Sequence, residues 1–201
     1  MLTTKDAIEA RRSIRKFKPD PIPSECFNEL INAARLAPSG CNAQPWRFKI
    51  VTDQAMKTEI AHAANFQMFI ADAPAVIICC ADLVGYIEGS VSGIQDLGKK
   101  GTADNRGVDT LLKHIEQLKK IPLEQLGPQI AFNVAIAIEH IALRALDFGL
   151  GTCWVRMFDS NKIRALFNWD ENILPITLLP IGYPNENPDG RKRVEIDSIL
   201  L

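Results

Sequence analysis

Apolar positions recur along the chain with two different periods, and their alternation predicts helices interleaved with strands. Thr3 to Arg12 reads as a first helix, and Ser24 caps a second in which Phe27, Leu30, Ile31 and Ala34 repeat at helical spacing until Pro38 closes it. Trp46 to Thr52 reads as a strand and Asp53 to Ala63 as a helix. Pro74 to Ala81 is an unbroken apolar run suited to a strand covered on both faces, with Cys79 and Cys80 on opposite sides of it. Pro128 is expected to open a long helix that Gly149 ends as its C′ residue. Ile130, Phe132, Val134, Ile136, Ile138, Ile141, Leu143 and Leu146 place apolar groups almost all round that helix, so it must be central or shared between subunits. A strand at Leu150 to Val155, a helix capped near Asp159 or Ser160, a strand at Ile173 to Ile181 and a tail complete the chain.

Between Leu83 and Gly127 the pattern weakens. Gly85, Gly89, Gly93, Gly98, Gly101 and Gly107 punctuate it, and only Thr110 to Lys120 reads as helical. The chain of 201 residues is therefore expected to form one domain, 1–201, in which about 83–127 is a lid or insertion, either a mobile cover or an ordinary surface excursion.

Composition removes several classes of function. The longest apolar stretch, Gln129 to Phe148, is broken by Asn133, Glu139, His140, Arg144 and Asp147, and the N-terminus lacks a signal-peptide core, so no membrane segment is expected. A formal net charge of −1, with both signs mixed along the chain, argues against a nucleic-acid surface. Five cysteines, an odd number lying mostly in apolar surroundings, point to a reduced, cytoplasmic setting rather than a disulfide framework. Neither they nor His62, His114 and His140 have zinc-like spacing, so no metal is expected.

The candidate chemistry lies elsewhere. "ARLAPSGCNAQPWRF", residues 33 to 47, carries more amide and hydroxyl groups than a helix-to-strand turn requires; Asn42 and Gln44 offer the paired donors and acceptors that reading the imide edge of a flavin ring demands. Arg11, Arg12, Ser13 and Arg15 cluster near one terminus, and Arg191, Lys192 and Arg193 near the other. Taken alone either cluster reads as a solvated face; if the two converged, they could hold one phosphate dianion. Gly149 and Gly151 would let backbone approach a flat ligand. No GxGxxG or GxxxxGK[ST] fingerprint is present.

Taken in order, "RRSIRKF", "AARLAPSGCNAQPWRFKIV", "ADAPAVIICCA", "GLGTCWV" and "IGYPNE" followed by "RKR" resemble the FMN-dependent nitroreductase family over nearly the whole chain. The resemblance implies an α+β fold, a central mainly antiparallel sheet flanked by helices, built as an intertwined homodimer with FMN in two interfacial sites. It makes Arg11, Arg12, Ser13, Arg191 and Arg193 the phosphate and ribityl anchors, and gives Arg15 a place facing the ring. Pro38, Ser39, Gly40 and Asn42, reaching across from the other copy, would pack on the isoalloxazine edge. Trp154, Val155, Arg156 and Met157 would run beside the ring, with the Arg156 N–H near flavin N5, and Gln67 would be a further ring contact.

The implied activity is reduction of electron-poor small molecules, such as nitroaromatics or quinones, by NADH or NADPH through bound FMN in ping-pong hydride transfer. No side chain is expected to act as nucleophile or proton donor; Arg156 and Met157 stand where many relatives carry small or acidic residues, so that Arg156 either tunes the flavin or turns to solvent and Met157 could narrow the space over the ring, and Cys41 and Cys153 are expected to serve packing. Relatives on the same scaffold perform reductive dehalogenation, flavin fragmentation or heterocycle dehydrogenation, and a non-catalytic flavin-binding module is the remaining alternative.

Overall fold

A computed structural model describes residues 2–201. Helix α1 (Thr4–Ala10) starts at a capping box between Thr3 and Asp6, and α2 (Ser24–Arg35) follows an extended crossover. Pro23, not Ser24, is the cap residue of α2; the Ser24 hydroxyl turns instead to the Glu25 carboxylate at 3.1 Å. Next come β1 (Trp46–Val51), α3 (Gln54–Ala63), the short α4 (Phe69–Asp72) and β2 (Ala75–Asp82). Two helices, α5 (Leu83–Lys99) and α6 (Asn105–Leu118), lead into the long α7 (Leu123–Ala145), followed by β3 (Gly151–Thr152), α8 (Ser160–Leu166) and β4 (Ile173–Gly182).

The four strands form an antiparallel sheet in the order β1-β2-β4-β3. Alternation along β2 divides the core into two layers: Ala75, Ile77, Cys79 and Ala81 pack with residues of α2 and α7, and Val76, Ile78 and Cys80 pack with residues of α3 and α8. All seven are essentially inaccessible to solvent, which is why this strand has no polar phase in the sequence. The expected strand at 150–155 is broken. Its partner in the ladder after Thr152 is Pro180, which has no N–H to return, so pairing lapses at Cys153 and resumes as a single bridge between Val155 and Leu178.

Helix α7 begins five residues before Pro128, with Pro122 as its cap. Leu126 and Ile130 are almost wholly buried, and their packing holds the first turns despite the N–H that Pro128 lacks. Helix α7 tightens into a 3-10 turn at Leu146–Phe148, and Gly149 ends that turn at φ +69° with the Leu150 N–H returning to Ala145 O at 3.0 Å. The apolar character all round α7 splits in the fold: Ile130, Val134, Ile138 and Ile141 face the core, while Phe132 is 72% exposed. Leu36 and Ile8 are also largely exposed.

Two glycines of 83–127 mark a close helix contact rather than loose chain. Gly89 and Gly93 lie inside α5, where added Cβ atoms would overlap the carbonyl oxygens of Ala43 and Cys41. Ile87, Ile94, Ile115 and Leu118 bind α5 and α6 to the larger core layer. Gly93→Ala is therefore expected to lower unfolding stability by about 1–3 kcal/mol through overpacking, measured by denaturant titration.

Candidate functional site

The two ends of the chain meet. After α1 the backbone turns extended at Arg11; Ser13 then bridges to Thr152 and the Ile14 N–H reaches Thr152 O at 3.0 Å, laying residues 11–15 along β3. On its other side the segment pairs with the chain leaving β4. Lys18 N donates to Tyr183 O at 2.8 Å, Phe17 bridges to Pro184, and Asn185 N donates to Lys16 O at 2.9 Å. The tail then curves past Pro188 and Asp189, so Arg191 and Arg193 line the same cavity as Arg11, Arg12, Ser13 and Arg15, about 390 Å³ in volume.

Each guanidinium is held differently. Arg11 is 25% exposed and pairs with Glu139 of α7 at 3.3 Å. Arg12 donates to Glu9 O and Arg11 O at 2.6 and 2.9 Å, satisfying carbonyls at the end of α1, and stands beside Gly190 of the tail. The Arg15 guanidinium lies 6.0 Å from the centre of the Phe69 ring. Arg191 and Arg193 are exposed. Asp189 is a carboxylate among the lining groups, yet five arginines and a serine hydroxyl leave a donor set suited to a phosphate dianion.

The buried Cys153 lies by the same groups. Burial raises its thiol pKa, although Arg15, the Ser13 hydroxyl and Arg11 pull it down, and it serves packing as expected. Burial also raises Cys79, and Cys80 to about 12.

Pro38, Ser39, Gly40 and Asn42 do not line the arginine cavity of their own chain. They form a rigid turn in which Cys41, Asn42 and Gln44 all have φ between 51° and 53°. The turn is held by Gly40 N donating to Asn133 Oδ1 at 2.8 Å, by Gln44 N donating to Ser39 Oγ at 3.0 Å, and by the close approach of α5.

The third group is split by its hydrogen bonds. Val155 braces the segment: its side chain is buried, its N–H donates to Leu178 O, and its carbonyl accepts from Leu178 N and Thr177 Oγ1. Trp154 is half-buried against the larger core layer. Arg156 and Met157 are exposed, and among the described residues neither backbone N–H finds an acceptor. Gln67 reaches this segment, its Nε2 donating to Met157 O at 3.1 Å and to Ala64 O at 2.9 Å. Gln44, exposed, turns its amide to Asn42 O at 3.3 Å.

Three positioning groups escaped sequence reasoning: Glu186, whose carboxylate accepts from two backbone amides; Asn133, a polar residue in an otherwise apolar helix face; and the glycines of α5. A larger cavity of about 560 Å³, between α5, α7 and α8, contains none of the predicted site residues.

Among the described residues, no group of three or more His, Cys, Asp or Glu side chains could hold a metal ion. The stretch Gln125–Phe148 is the one described helix long and apolar enough to cross a membrane, and half of it is buried within the protein.

Comparison with known proteins gives a consistent picture. A profile of the Nitroreductase family matches residues 8–183. The chain is 28% identical to a protein of Thermus thermophilus named NADH dehydrogenase, covering 100% of this chain and 96% of that one. It is 31% identical to YdgI of Bacillus subtilis, provisionally named an NAD(P)H nitroreductase, over 99% and 98% of the two chains. A structure from Exiguobacterium sibiricum, solved in complex with FMN, superposes with a TM-score of 0.81 at 24% identity, covering 100% of this chain and 97% of that one.

Alkylation at pH 8 is expected to mark the half-buried Cys26 and Cys41 in the folded protein and to spare Cys79, Cys80 and Cys153, whose raised pKa values keep them as neutral thiols. Peptide mass spectrometry after a timed quench reads the pattern; rapid labelling of Cys153 would show that its shielding is misjudged.

Proposed function

The chain belongs to the Nitroreductase family, and from that membership we propose an oxidoreductase that holds FMN and uses NADH or NADPH to reduce electron-poor acceptors such as nitroaromatics or quinones. The observation that carries this reading is the convergence of five arginines and Ser13, drawn from opposite ends of the sequence, on one cavity. When bound, FMN supplies hydride acceptance from the nicotinamide and electron delivery to the second substrate.

The residues of this chain bind and orient. Arg11, aimed by Glu139, and the Ser13 hydroxyl take phosphate oxygens from the α1 side, and Arg191 and Arg193 close on them from the tail. Arg12, partly committed to backbone carbonyls, secures the pocket wall. Arg15, beside Phe69, extends the positive field toward the ring. The unpaired amides of Arg156 and Met157 are suited to donating a hydrogen bond to the ring's reactive edge, with Gln67 bracing that segment. The exposed Arg156 side chain and Met157 thioether would tune and shape the space over the ring.

The stiff turn at Pro38, Ser39, Gly40 and Asn42 is read as serving a second copy, so the working unit is a homodimer. Exposure of Phe132, Leu36 and Ile8 on one chain supports that reading, since such side chains favour a partner surface. We read the chain as one domain in which α5 and α6 form an anchored cover. The five free cysteines favour the cytoplasm.

Freshly purified protein is expected to be yellow and to release FMN on heating, and stopped-flow mixing with NADH or NADPH should bleach the flavin band. Failure of both nicotinamides would remove the oxidoreductase reading. Arg193→Ala should weaken FMN binding by about tenfold with little change in melting temperature, because one charge-assisted contact is lost from an exposed residue.

A further inference from the structure

We propose that Glu186 is the positioning residue that assembles the phosphate end of the pocket, clipping the backbone at Arg15 and Lys16 to the C-terminal tail so that Arg191 and Arg193 stand opposite Arg11 and Arg15. What the pocket holds rests on the function proposed above; the clip itself does not.

Glu186 Oε1 accepts from Arg15 N at 2.5 Å and from Lys16 N at 3.1 Å, groups 171 and 170 residues away in sequence. Both amides sit where ordinary pairing runs out. The Ile14 N–H is spent on Thr152 and the Lys16 carbonyl on Asn185, but no strand lies opposite the next two N–H groups. Successive main-chain amides aimed at one point form an anion-binding concavity, here filled by the chain's own carboxylate.

Beyond Glu186 little holds the tail. Residues 189–201 are all exposed, and the half-buried Pro188 and the close approach of Gly190 to the Arg12 guanidinium are the next links back to the pocket. Loss of the clip would strand two amides and let the segment carrying Arg191 and Arg193 swing about Asn185. A carboxylate beside a phosphate site opposes the ligand's charge, so its value there must lie in reach rather than in sign.

Reach and sign can be separated. Glu186→Asp keeps the charge and shortens the side chain by one methylene; Glu186→Gln keeps the length and an acceptor oxygen but removes the charge. FMN and riboflavin are titrated into the flavin-free form of each variant, and amide exchange at Arg15 and Lys16 is followed by NMR. Glu186→Asp is expected to weaken FMN by about tenfold, with riboflavin, which lacks the phosphate, changed less than about twofold, and to expose both amides. Glu186→Gln is expected to hold FMN within about threefold and keep the amides protected.

Tighter FMN binding in both variants, equal loss in both, or protected amides in Glu186→Asp would overturn the clip. Unprotected Arg15 and Lys16 amides in the unaltered chain would overturn it without any variant. If the unaltered protein binds neither flavin, the proposed function fails while the exchange result still decides the clip.

Discussion

The candidate site depends on main-chain pairing between the two ends of the polypeptide. Residues 13–18 lie between β3 on one side and residues 183–186 on the other, joined by hydrogen bonds that owe nothing to the arginines themselves. Left to their charges, five guanidinium groups would separate. The pairing holds them within one cavity, where Asp189 is a carboxylate of the lining and Glu139 pairs with Arg11.

A second constraint acts on the turn after α2. Three non-glycine residues in the left-handed region within four positions are tolerated only where the surroundings leave no alternative. Here Asn133 takes the Gly40 N–H, Ser39 takes the Gln44 N–H, and α5 presses glycine against the Cys41 and Ala43 carbonyls. Helix α7 links the two constraints. Glu139 on it aims Arg11, Asn133 two turns earlier fixes the turn, and its inner face carries Ile130, Val134, Ile138 and Ile141 into the larger core layer.

The sequence by itself determined most of the elements outside residues 83–127 and the classes of group at the site. The apolar run of β2 required a sheet covered on both faces, Gly149 required a helix end, and the two basic clusters required an anion or solvent. These are local properties, set by side-chain period and backbone freedom within a few residues. What only the tertiary structure decided were relations between distant groups. Pro180 interrupting the strand after Thr152 depends on register across the sheet; the helical start at Leu123 depends on burial of Leu126 outweighing Pro128. The α5 glycines read as loop because their reason, the carbonyls of Cys41 and Ala43, lies some fifty residues away. The bonds by which Val155 braces its segment, to Leu178 and Thr177, likewise join residues more than twenty positions apart. Glu186 was legible as part of a motif but not as a clip, because no sequence pattern records which backbone amides the fold will leave without partners.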